Sequence, residues 1–358
     1  MRVVIAGGGT GGHLYPGLAL AAALAARGAE PTFVGTAGGI EARAVPAAGW
    51  PLRLVPGRQV RGGGLLRAAA GLAALARAVV AARAILADVR PALVVGVGGY
   101  ASVATVLAAR LGGRPVVLLE QNVIPGAANR LLGRLAHRIC VGFAEAAAWF
   151  PAGRAVHTGN PVRADVLAAR DALPPGRPDG RLGLLVFGGS AGAHRLNEAT
   201  VAALRLRGAR TPAFDVVHQT GTADLDAVRA AYASAGIAAR VAPFLDDMGA
   251  AYAAADVVVG RAGAMTCSEL GVVGRPAILV PYPYAADDHQ RRNAETLVAA
   301  GAAELIPDRD LDGRRLAAAL DALAADAPRR ARMAAAARAF GRPDAAERVA
   351  DACLALLS

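Results

Sequence analysis

The hydrophobic residues of this chain fall into short β-branched runs that alternate with longer stretches rich in Ala, Leu and Arg. In the first half these runs predict strands at 3–6, 31–34, 52–55, 92–97, 115–119 and 139–141. The stretches between them predict helices at 16–27, 65–86, 102–111 and 126–136. Because strands such as LVVGV and VVLL are apolar on both faces, they suit a parallel sheet that is covered by helices on both sides.

The same alternation resumes after a break in the middle of the chain. Residues 172–181 form a polar, Pro-rich stretch without apolar periodicity, which predicts a loop. Beyond it the apolar runs predict strands at 184–187, 215–218, 240–243, 256–259, 277–280 and 304–306. Repeated alternation of strands and helices predicts doubly wound parallel sheets.

The length of the chain favours two domains, because 358 residues exceed what one hydrophobic core usually spans. We therefore predict an α/β fold with two Rossmann-like domains that face each other across a cleft. Residues 1–163 form the first domain and residues 164–341 the second, while a last helix within 342–358 packs back on the first. Ligands of such folds bind at the carboxyl ends of the strands.

Three glycine-rich turns directly follow predicted strands and precede predicted helices, at residues 7–13, 98–102 and 188–193. Glycine permits a tight turn and lets a diphosphate approach backbone N–H groups, and the helix N-terminus adds partial positive charge. A single such turn is equally well explained as a tight connection. None matches the Walker pattern, because the chain has no GK[ST]. Three turns in one chain favour phosphate binding.

Two polar side chains stand out beside these turns. His13 closes the first turn and is either a structural histidine or a proton-transfer group, because imidazole exchanges protons near neutral pH. Glu269 ends the stretch RAGAMTCSE at 261–269, whose small residues permit close approach of a ligand. Its carboxylate either accepts both hydroxyls of a ribose or completes a capping box with Thr266.

A polar loop at 281–290 follows another buried strand. Asp287, Asp288, His289 and Gln290 crowd the start of the next helix. A metal ion is compatible with this cluster, but helix capping and recognition of sugar hydroxyls explain it with fewer demands. We predict no metal and no other cofactor.

The composition narrows the choice of partners. The formal net charge is +11, and every basic side chain apart from histidine is Arg, because the chain contains no Lys. Part of this charge is a solvated surface, and the rest favours anionic partners such as phosphate groups or acidic phospholipid. Aromatic residues make up only 4%, so a base-stacking surface has few residues to build it, and we predict no nucleic-acid partner. Cys140, Cys267 and Cys353 lie far apart, which argues against zinc and a disulfide framework and suits a reducing cytosol.

Two apolar segments bear on membrane contact. Residues 91–109 carry no charge, but their glycines divide them into a buried strand and a helix, so we do not predict a transmembrane span there. The segment 65–86 is either a basic amphipathic helix that binds anionic lipid or a packing helix with solvated arginines. Its basic residues are Arg67, Arg77 and Arg83.

Eight segments, taken together in chain order, resemble the MurG family, the N-acetylglucosaminyltransferases of peptidoglycan synthesis within the GT-B glycosyltransferases. They read GGGTGGHLYPGLALA, GVGGYAS, LEQNVIPGAANR, TGNPVR, FGGSAGAHRLNE, HQTG, FLDDMGAAYAAADVVVGRAGAMTCSEL and DDHQRRNA. Because the segments are distributed over nearly the whole chain, the resemblance covers both predicted domains.

The resemblance implies roles for residues of the first half. Four residues of the first glycine turn would border the GlcNAc and the diphosphate of the acceptor: Thr10, Gly11, Gly12 and His13. Asn122 would reach the GlcNAc, and Arg163 would lie at the hinge near the donor.

In the second half the resemblance implies a UDP-GlcNAc site. Ser190 would bind the UDP phosphates, Leu245 would present its backbone to uracil, and Gln290 would bind GlcNAc hydroxyls. The α-phosphate and the ribose would be held by a helix start whose residues are Ala264, Met265, Thr266, Cys267, Ser268 and Glu269. Ala191 stands where the family usually has Gln, which removes one side chain near the diphosphate and leaves the backbone.

The implied reaction is an inverting transfer of GlcNAc from UDP-GlcNAc to the C4 hydroxyl of MurNAc in undecaprenyl-pyrophosphoryl-MurNAc-pentapeptide (lipid I), which gives lipid II. His13 is the proposed base, and backbone N–H groups with helix dipoles stabilise the departing UDP. The enzyme is expected on the cytoplasmic side of the cell membrane as a peripheral protein. Its expected partners are anionic phospholipid and proteins of cell-wall synthesis.

Two alternatives remain open. One is another GT-B glycosyltransferase that acts on a lipid or small-molecule acceptor, against which the segments EQN and GGTGGH speak. The other is an inactive nucleotide-sugar-binding scaffold of the cell wall. The presence of His13, Glu269 and Gln290 argues against that scaffold.

Overall fold

The computed structural model describes residues 1–57, 65–172, 180–189, 192–208 and 210–357, and for residues 65–68 it describes the backbone alone. The chain divides into two compact units. Unit 1 consists of Met1–Arg163 together with Pro343–Ser358, and unit 2 of Ala164–Arg342.

The described strands are, in chain order, β1 Arg2–Gly7, β2 Glu30–Gly35, β3 Leu52–Leu54, β4 Leu93–Gly98, β5 Val116–Glu120, β6 Arg138–Val141, β7 Ala155–His157, β8 Leu182–Phe187, β9 Phe214–Gln219, β10 Ala239–Ala242, β11 Val257–Gly260, β12 Ala277–Leu279 and β13 Ala303–Leu305. The described α-helices are α1 Gly11–Ala25, α2 Glu41–Ala47, α3 Leu65–Val89, α4 Tyr100–Leu111, α5 Ala127–Leu132, α6 Ala164–Ala168, α7 His194–Arg207, α8 Leu225–Ser234, α9 Met248–Ala253, α10 Ala264–Val273, α11 His289–Ala299, α12 Gly313–Ala325, α13 Ala327–Phe340 and α14 Ala345–Leu354. Short 3-10 helices lie at Ala144–Trp149, Ala286–Asp288 and Asp308–Asp310.

Each unit contains one parallel sheet among its described residues, and the first six strands of both sheets follow the same order. In unit 1 the order is β3-β2-β1-β4-β5-β6-β7, and in unit 2 it is β10-β9-β8-β11-β12-β13. The order reverses between β1 and β4 in the first sheet, and between β8 and β11 in the second. Such a reversal is where ligands bind in doubly wound folds, because the connections on either side diverge and leave a crevice.

Alternating residues of the central strand explain why helices cover both faces of the sheet in unit 1. Along β1, Val3 and Ile5 lie in a buried cluster with α1 and α14, whereas Val4 and Ala6 pack with α3 and α4. Complete burial of a Val or Ile side chain contributes about 1.5–3 kcal/mol. Both faces of this strand therefore stabilise the fold.

The strand predictions are confirmed, since each of the twelve predicted strands is present with ends that differ by no more than two residues. Residues 91–109 form the end of one loop, β4 and most of α4, as predicted. The short strand β7 and helix α2 were not predicted, because neither shows a clear apolar period.

The predicted start of the first helix, at Pro16, is wrong. Proline is favoured in the first turn of a helix, but α1 begins at Gly11 and contains Pro16 in its interior. The first helical turn therefore includes Gly11, Gly12 and His13. This shift places three of the predicted site residues on a helix N-terminus instead of in a loop.

Among the described residues, one helical segment, Ala69–Val89 of α3, is long and apolar enough to span a membrane by length and composition. One face of this helix is nevertheless part of the core of unit 1. Ala74, Ala78, Ala82 and Leu86 are buried, and α3 packs along α4. The packing-helix interpretation of this segment is therefore confirmed for its inner face.

Candidate active site

The glycine turns after β1 and β4 touch each other at the reversal point of unit 1. The Gly8 N–H donates a hydrogen bond of 3.2 Å to the carbonyl of Gly98. Gly98 has φ of +108°, and a Cβ there would overlap the ring of His13. A side chain at Gly99 would likewise collide with the backbone of Gly8. Glycine is required here because two backbones and an imidazole occupy the same small volume.

His13 lies in the first turn of α1 and is held against this junction. Its ring packs on Gly98, and its Nδ1 lies 3.4 Å from the Thr10 hydroxyl. The first N–H groups of a helix have no partner within the helix. Those of Gly11 and Gly12 therefore offer donors for an anion, and the positive end of the helix dipole lies behind them.

A cavity of about 360 Å³ opens above the ends of β1, β2 and β4. Its lining combines several glycines with the side chains of Thr10, His13, Thr36, Glu41 and Tyr100. The Tyr100 hydroxyl is buried and has no hydrogen-bond partner among the described residues. Burial raises the pKa of Tyr100, against a smaller lowering by Arg77. The phenol therefore remains neutral at neutral pH.

Asn122 follows β5 and is oriented by a buried carboxylate. Glu120 accepts hydrogen bonds from the Asn122 backbone N–H at 2.9 Å and from Asn129 Nδ2 at 2.9 Å. It also accepts one from the Gly126 N–H at 3.2 Å. Burial raises the pKa of Glu120, while these hydrogen bonds act in the opposite direction. The hydrogen bonds to Glu120 thus fix the loop that carries Asn122.

Arg163 ends unit 1, and its guanidinium stacks over the ring of Tyr15 with 5.0 Å between the guanidinium carbon and the ring centroid. Tyr15 belongs to α1, two residues after His13. The predicted hinge residue is therefore connected to the helix that carries the predicted base.

In unit 2 the turn after β8 is fixed by the neighbouring strand β9. Gln219 Nε2 donates to the carbonyl of Gly189 at 3.0 Å, and a Cβ at Gly192 would overlap the carbonyl of Thr220. Ser190 and Ala191, which the sequence placed at the UDP phosphates, lie outside the described residues.

The turn after β11 leads directly into α10. Gly263 occupies the N-cap position in an extended conformation and makes no side-chain cap, so the first N–H groups of the helix are uncapped by a side chain. Ala264, Met265 and Thr266 form the first turn. The alternative in which Thr266 caps the helix is wrong, because the helix starts three residues earlier than a cap at this position requires. The alternative capping box with Glu269 is wrong for the same reason.

The remaining residues of this segment differ in what they present. The Cys267 side chain is completely buried, its pKa is raised by burial, and its N–H donates to the Gly263 carbonyl at 3.0 Å. Ser268 donates back to the Ala264 carbonyl at 3.0 Å. Neither side chain is therefore available to a ligand, in contrast to the N–H groups of the first turn of α10.

Glu269 is nearly buried, and one carboxylate oxygen accepts a hydrogen bond of 3.0 Å from the Tyr252 hydroxyl. Tyr252 in turn packs edge-on against Phe187 at the end of β8. Leu245 lies buried in the loop between β10 and α9. Leu245 and Glu269 thus both follow the carboxyl ends of strands of this sheet.

Gln290 is the second residue of α11, and its side-chain oxygen accepts a hydrogen bond of 3.0 Å from the Tyr282 N–H. Asp287 and Asp288 both have φ of 52°, which turns the chain sharply before the helix. No group of three or more His, Cys, Asp or Glu side chains in the described ranges is arranged to hold a metal ion.

Three side chains near these loops were not singled out from the sequence. Glu41 lies in α2, a helix too short to show a period. Tyr100 was read as part of a glycine turn, and His218 as the end of a strand. A lone polar residue between apolar positions carries no signal of its contacts, because those contacts come from distant parts of the chain.

Comparison with known proteins agrees with this architecture. The glycosyltransferase family 28 N-terminal domain matches residues 3–141, and the glycosyltransferase family 28 C-terminal domain matches residues 183–349.

The chain is also similar over its full length to UDP-N-acetylglucosamine--N-acetylmuramyl-(pentapeptide) pyrophosphoryl-undecaprenol N-acetylglucosamine transferases. It is 42% identical to that of Syntrophus aciditrophicus, covering 100% of this chain and 99% of the relative. It is 46% identical to that of Anaeromyxobacter sp. strain Fw109-5, covering 100% and 94%. The crystal structure of Acinetobacter baumannii MurG superimposes with a TM-score of 0.79 at 31% identity, covering 99% of both chains.

Proposed function

Because the chain belongs to the MurG family of glycosyltransferases, we propose that it transfers N-acetylglucosamine from UDP-GlcNAc to lipid I. The acceptor group is the C4 hydroxyl of MurNAc in undecaprenyl-pyrophosphoryl-MurNAc-pentapeptide, and the product is lipid II. The names of the relatives specify this donor, acceptor and transferred sugar.

The observation that carries the proposal is the pair of glycine-rich reversal points, one in each unit. A glycosyl transfer between two diphosphate-bearing substrates needs two anion sites. Unit 1 offers the start of α1 above the junction of β1 and β4, and unit 2 offers the start of α10 after β11. A helix N-terminus after a glycine turn supplies N–H donors and partial positive charge to a phosphate.

Unit 1 is the proposed acceptor side. Its cavity presents the Thr10 hydroxyl and the first turn of α1, which suit a sugar and a diphosphate respectively. His13 lies at the boundary between these two features. In the proposed reaction its imidazole takes the proton of the C4 hydroxyl while the new C1–O4 bond forms.

Unit 2 is the proposed donor side. The bond that breaks joins C1 of GlcNAc to the β-phosphate oxygen of UDP, so negative charge develops on the departing diphosphate. The uncapped N–H groups of Ala264 to Thr266 would stabilise this charge without reorganising. Glu269, held by Tyr252, would accept the hydroxyls of the ribose.

Contact with a membrane surface is proposed for the outer face of α3. Leu72 and Val80 are 69% and 68% exposed on this helix, and Arg77 and Arg83 are exposed beside them. Exposed apolar side chains next to basic ones favour the interface of an anionic bilayer. The side chain of Arg67, which the sequence analysis included in this segment, lies outside the described residues.

The direct test is to incubate the purified chain with UDP-GlcNAc and a lipid I analogue. We expect release of UDP together with a β-linked GlcNAc-MurNAc product, identified by mass spectrometry and NMR. Binding of UDP-GlcNAc without UDP release would instead support the inactive scaffold. Transfer to a macrolide or sterol but not to the lipid I analogue would support another glycosyltransferase of this fold.

A further inference from the structure

A carboxylate is buried directly beneath the first glycine turn. Glu41, the first residue of α2, is only 1% exposed. Its side chain accepts hydrogen bonds from the Gly9 N–H at 2.7 Å, the Thr36 N–H at 2.9 Å and the Thr36 hydroxyl at 2.9 Å. One side chain thus joins the turn after β1 to the turn after β2.

Three glycines make room for this carboxylate. A Cβ at Gly8, Gly35 or Gly39 would overlap the Glu41 side chain. Only one of these, Gly8, has a φ in the positive range, so close approach and not backbone conformation requires glycine at Gly35 and Gly39. The packing is specific for a side chain of this length at this position.

The contact determines which N–H groups of the turn remain for a ligand. The Gly8 N–H is taken by Gly98, and the Gly9 N–H is taken by Glu41. The next N–H groups along the chain are those of Thr10, Gly11 and Gly12 at the start of α1. An anion in the cavity is therefore directed to the helix start and away from the glycines that precede it.

We propose that Glu41 is a positioning residue for acceptor binding: it holds the first glycine turn so that the start of α1 receives the acceptor's diphosphate. This proposal rests on the proposed function in one respect, namely that the cavity of unit 1 takes the acceptor. Glu41 itself touches neither substrate in this account, because its carboxylate oxygens are occupied by the protein.

The ionisation of Glu41 is consistent with this role. Burial acts to raise its pKa, but the hydrogen bonds from Gly9 and Thr36 together hold the pKa below its usual value. The side chain is therefore an anion at neutral pH and can only accept hydrogen bonds. The three donors that converge on it, the two backbone N–H groups and the Thr36 hydroxyl, all require an acceptor.

The test measures the Kd of a short-chain lipid I analogue and the steady-state constants for both substrates in Glu41→Ala and Glu41→Gln. Glu41→Ala should raise the Kd and KM for the acceptor at least tenfold while the KM for UDP-GlcNAc changes less than twofold. Glu41→Gln keeps an oxygen acceptor and should recover part of this loss. Tryptophan fluorescence monitors folding, because Trp50 follows α2 directly and both tryptophans lie in unit 1.

Asp256→Asn provides a matched control, because Asp256 also accepts a backbone hydrogen bond, from the Gly183 N–H at 2.7 Å, but in unit 2. It should leave acceptor binding unchanged.

A folded Glu41→Ala variant with normal acceptor Kd, or with equal losses for donor and acceptor, would overturn the positioning role. If Glu41→Ala does not fold, Glu41→Gln alone decides the question by its acceptor Kd. Wild-type chain that binds the analogue without forming product would refute the proposed function and leave the Kd comparison valid.

Discussion

At the scale of single residues, His13 is the side chain whose surroundings best match a chemical role. Its ring is fixed against Gly98 and near the Thr10 hydroxyl, so it is oriented before substrate arrives. Preorganised general bases contribute about 10²–10⁴-fold to a rate. A histidine that only binds phosphate would instead affect the acceptor KM.

We predict that His13→Ala lowers kcat by at least a hundredfold, about the lower end of what a general base supplies, with little change in the Kd for UDP. The acidic limb of the kcat–pH profile should also disappear, because that limb would report protonation of the imidazole. His157→Gln is the control, since His157 lies on the edge strand β7 of the same unit. Near-normal kcat with an unaltered pH profile in His13→Ala would remove His13 from the mechanism.

The same residues show what sequence patterns can and cannot predict. His13 was identifiable because it closes a glycine turn, and glycine turns have a composition of their own. Glu41 was not, because its partner Gly9 comes from the connection after β1 and no local pattern records that three glycines enclose the carboxylate. The alternative in which Thr266 caps a helix was wrong for a related reason. The turn after β11 ends at Gly263, so α10 begins at Ala264 and Thr266 lies inside its first turn.

At the scale of secondary structure elements, β9 is joined to α7 and α8 through a buried histidine. His218 is completely buried between the Tyr232 hydroxyl at 2.9 Å and Asn197 at 3.1 Å. Asn197 also donates to the Thr220 carbonyl, next to the glycine turn of the proposed donor site. Burial lowers the pKa of His218 to about 4, although Asp224 acts to raise it.

This depressed pKa predicts that unit 2 loses stability in mild acid. The unfolded chain binds a proton at His218 below a pH of about 6.5, while the folded chain does so only below about 4. The contribution of His218 to the free energy of unfolding is therefore constant above pH 6.5. It declines as the pH falls from about 6.5 to about 4, by up to about 3 kcal/mol. Urea unfolding followed by far-UV circular dichroism between pH 7.5 and 4.5 measures it.

His218→Gln should show a shallower decline than the wild type over that window, because the substituted side chain does not titrate. Circular dichroism is needed since Trp50 and Trp149 both belong to unit 1. His157→Gln controls for the removal of a histidine elsewhere. Parallel declines in the wild type and in His218→Gln would show that other groups carry the pH dependence.

The predictability of the elements follows from how much of each is buried. Central strands such as β1 and β4 are apolar on both faces and were predicted nearly to the residue. The edge strand β7 has no fully buried residue, so its composition resembles that of a loop. The start of α1 was misplaced because glycine and histidine are weak helix formers, and the contacts that hold them there lie in another connection.

At the scale of the whole molecule, the net charge of +11 and the exposed face of α3 both favour contact with an anionic surface. The inner face of this helix is used for packing, so it remains in unit 1 while the outer face meets the solvent. Apolar burial at an interface adds to the attraction between arginine and anionic lipid, which is worth about 1 kcal/mol for each basic residue near the surface. The proposed peripheral contact of α3 with a membrane would combine both contributions.

We predict that the chain sediments with vesicles that contain phosphatidylglycerol and only weakly with those of phosphatidylcholine alone. Leu72→Asp combined with Val80→Asp should reduce binding at least tenfold at every salt concentration, because it removes apolar insertion and adds like charge to the lipid, each worth about 1 kcal/mol or more. Arg77→Gln combined with Arg83→Gln should reduce binding chiefly at low salt, since screening already weakens this attraction at high salt.

Leu206→Asp is the matched control, because Leu206 is an apolar side chain that is 52% exposed on α7 of unit 2. It should bind vesicles like the wild type. Transfer to a water-soluble acceptor should be normal in all these variants, whereas transfer to an acceptor embedded in vesicles should fall with binding. Release of the wild-type chain by alkaline carbonate would agree with peripheral attachment. Retention in the bilayer after that treatment would instead mean that α3 leaves the core of unit 1 and inserts.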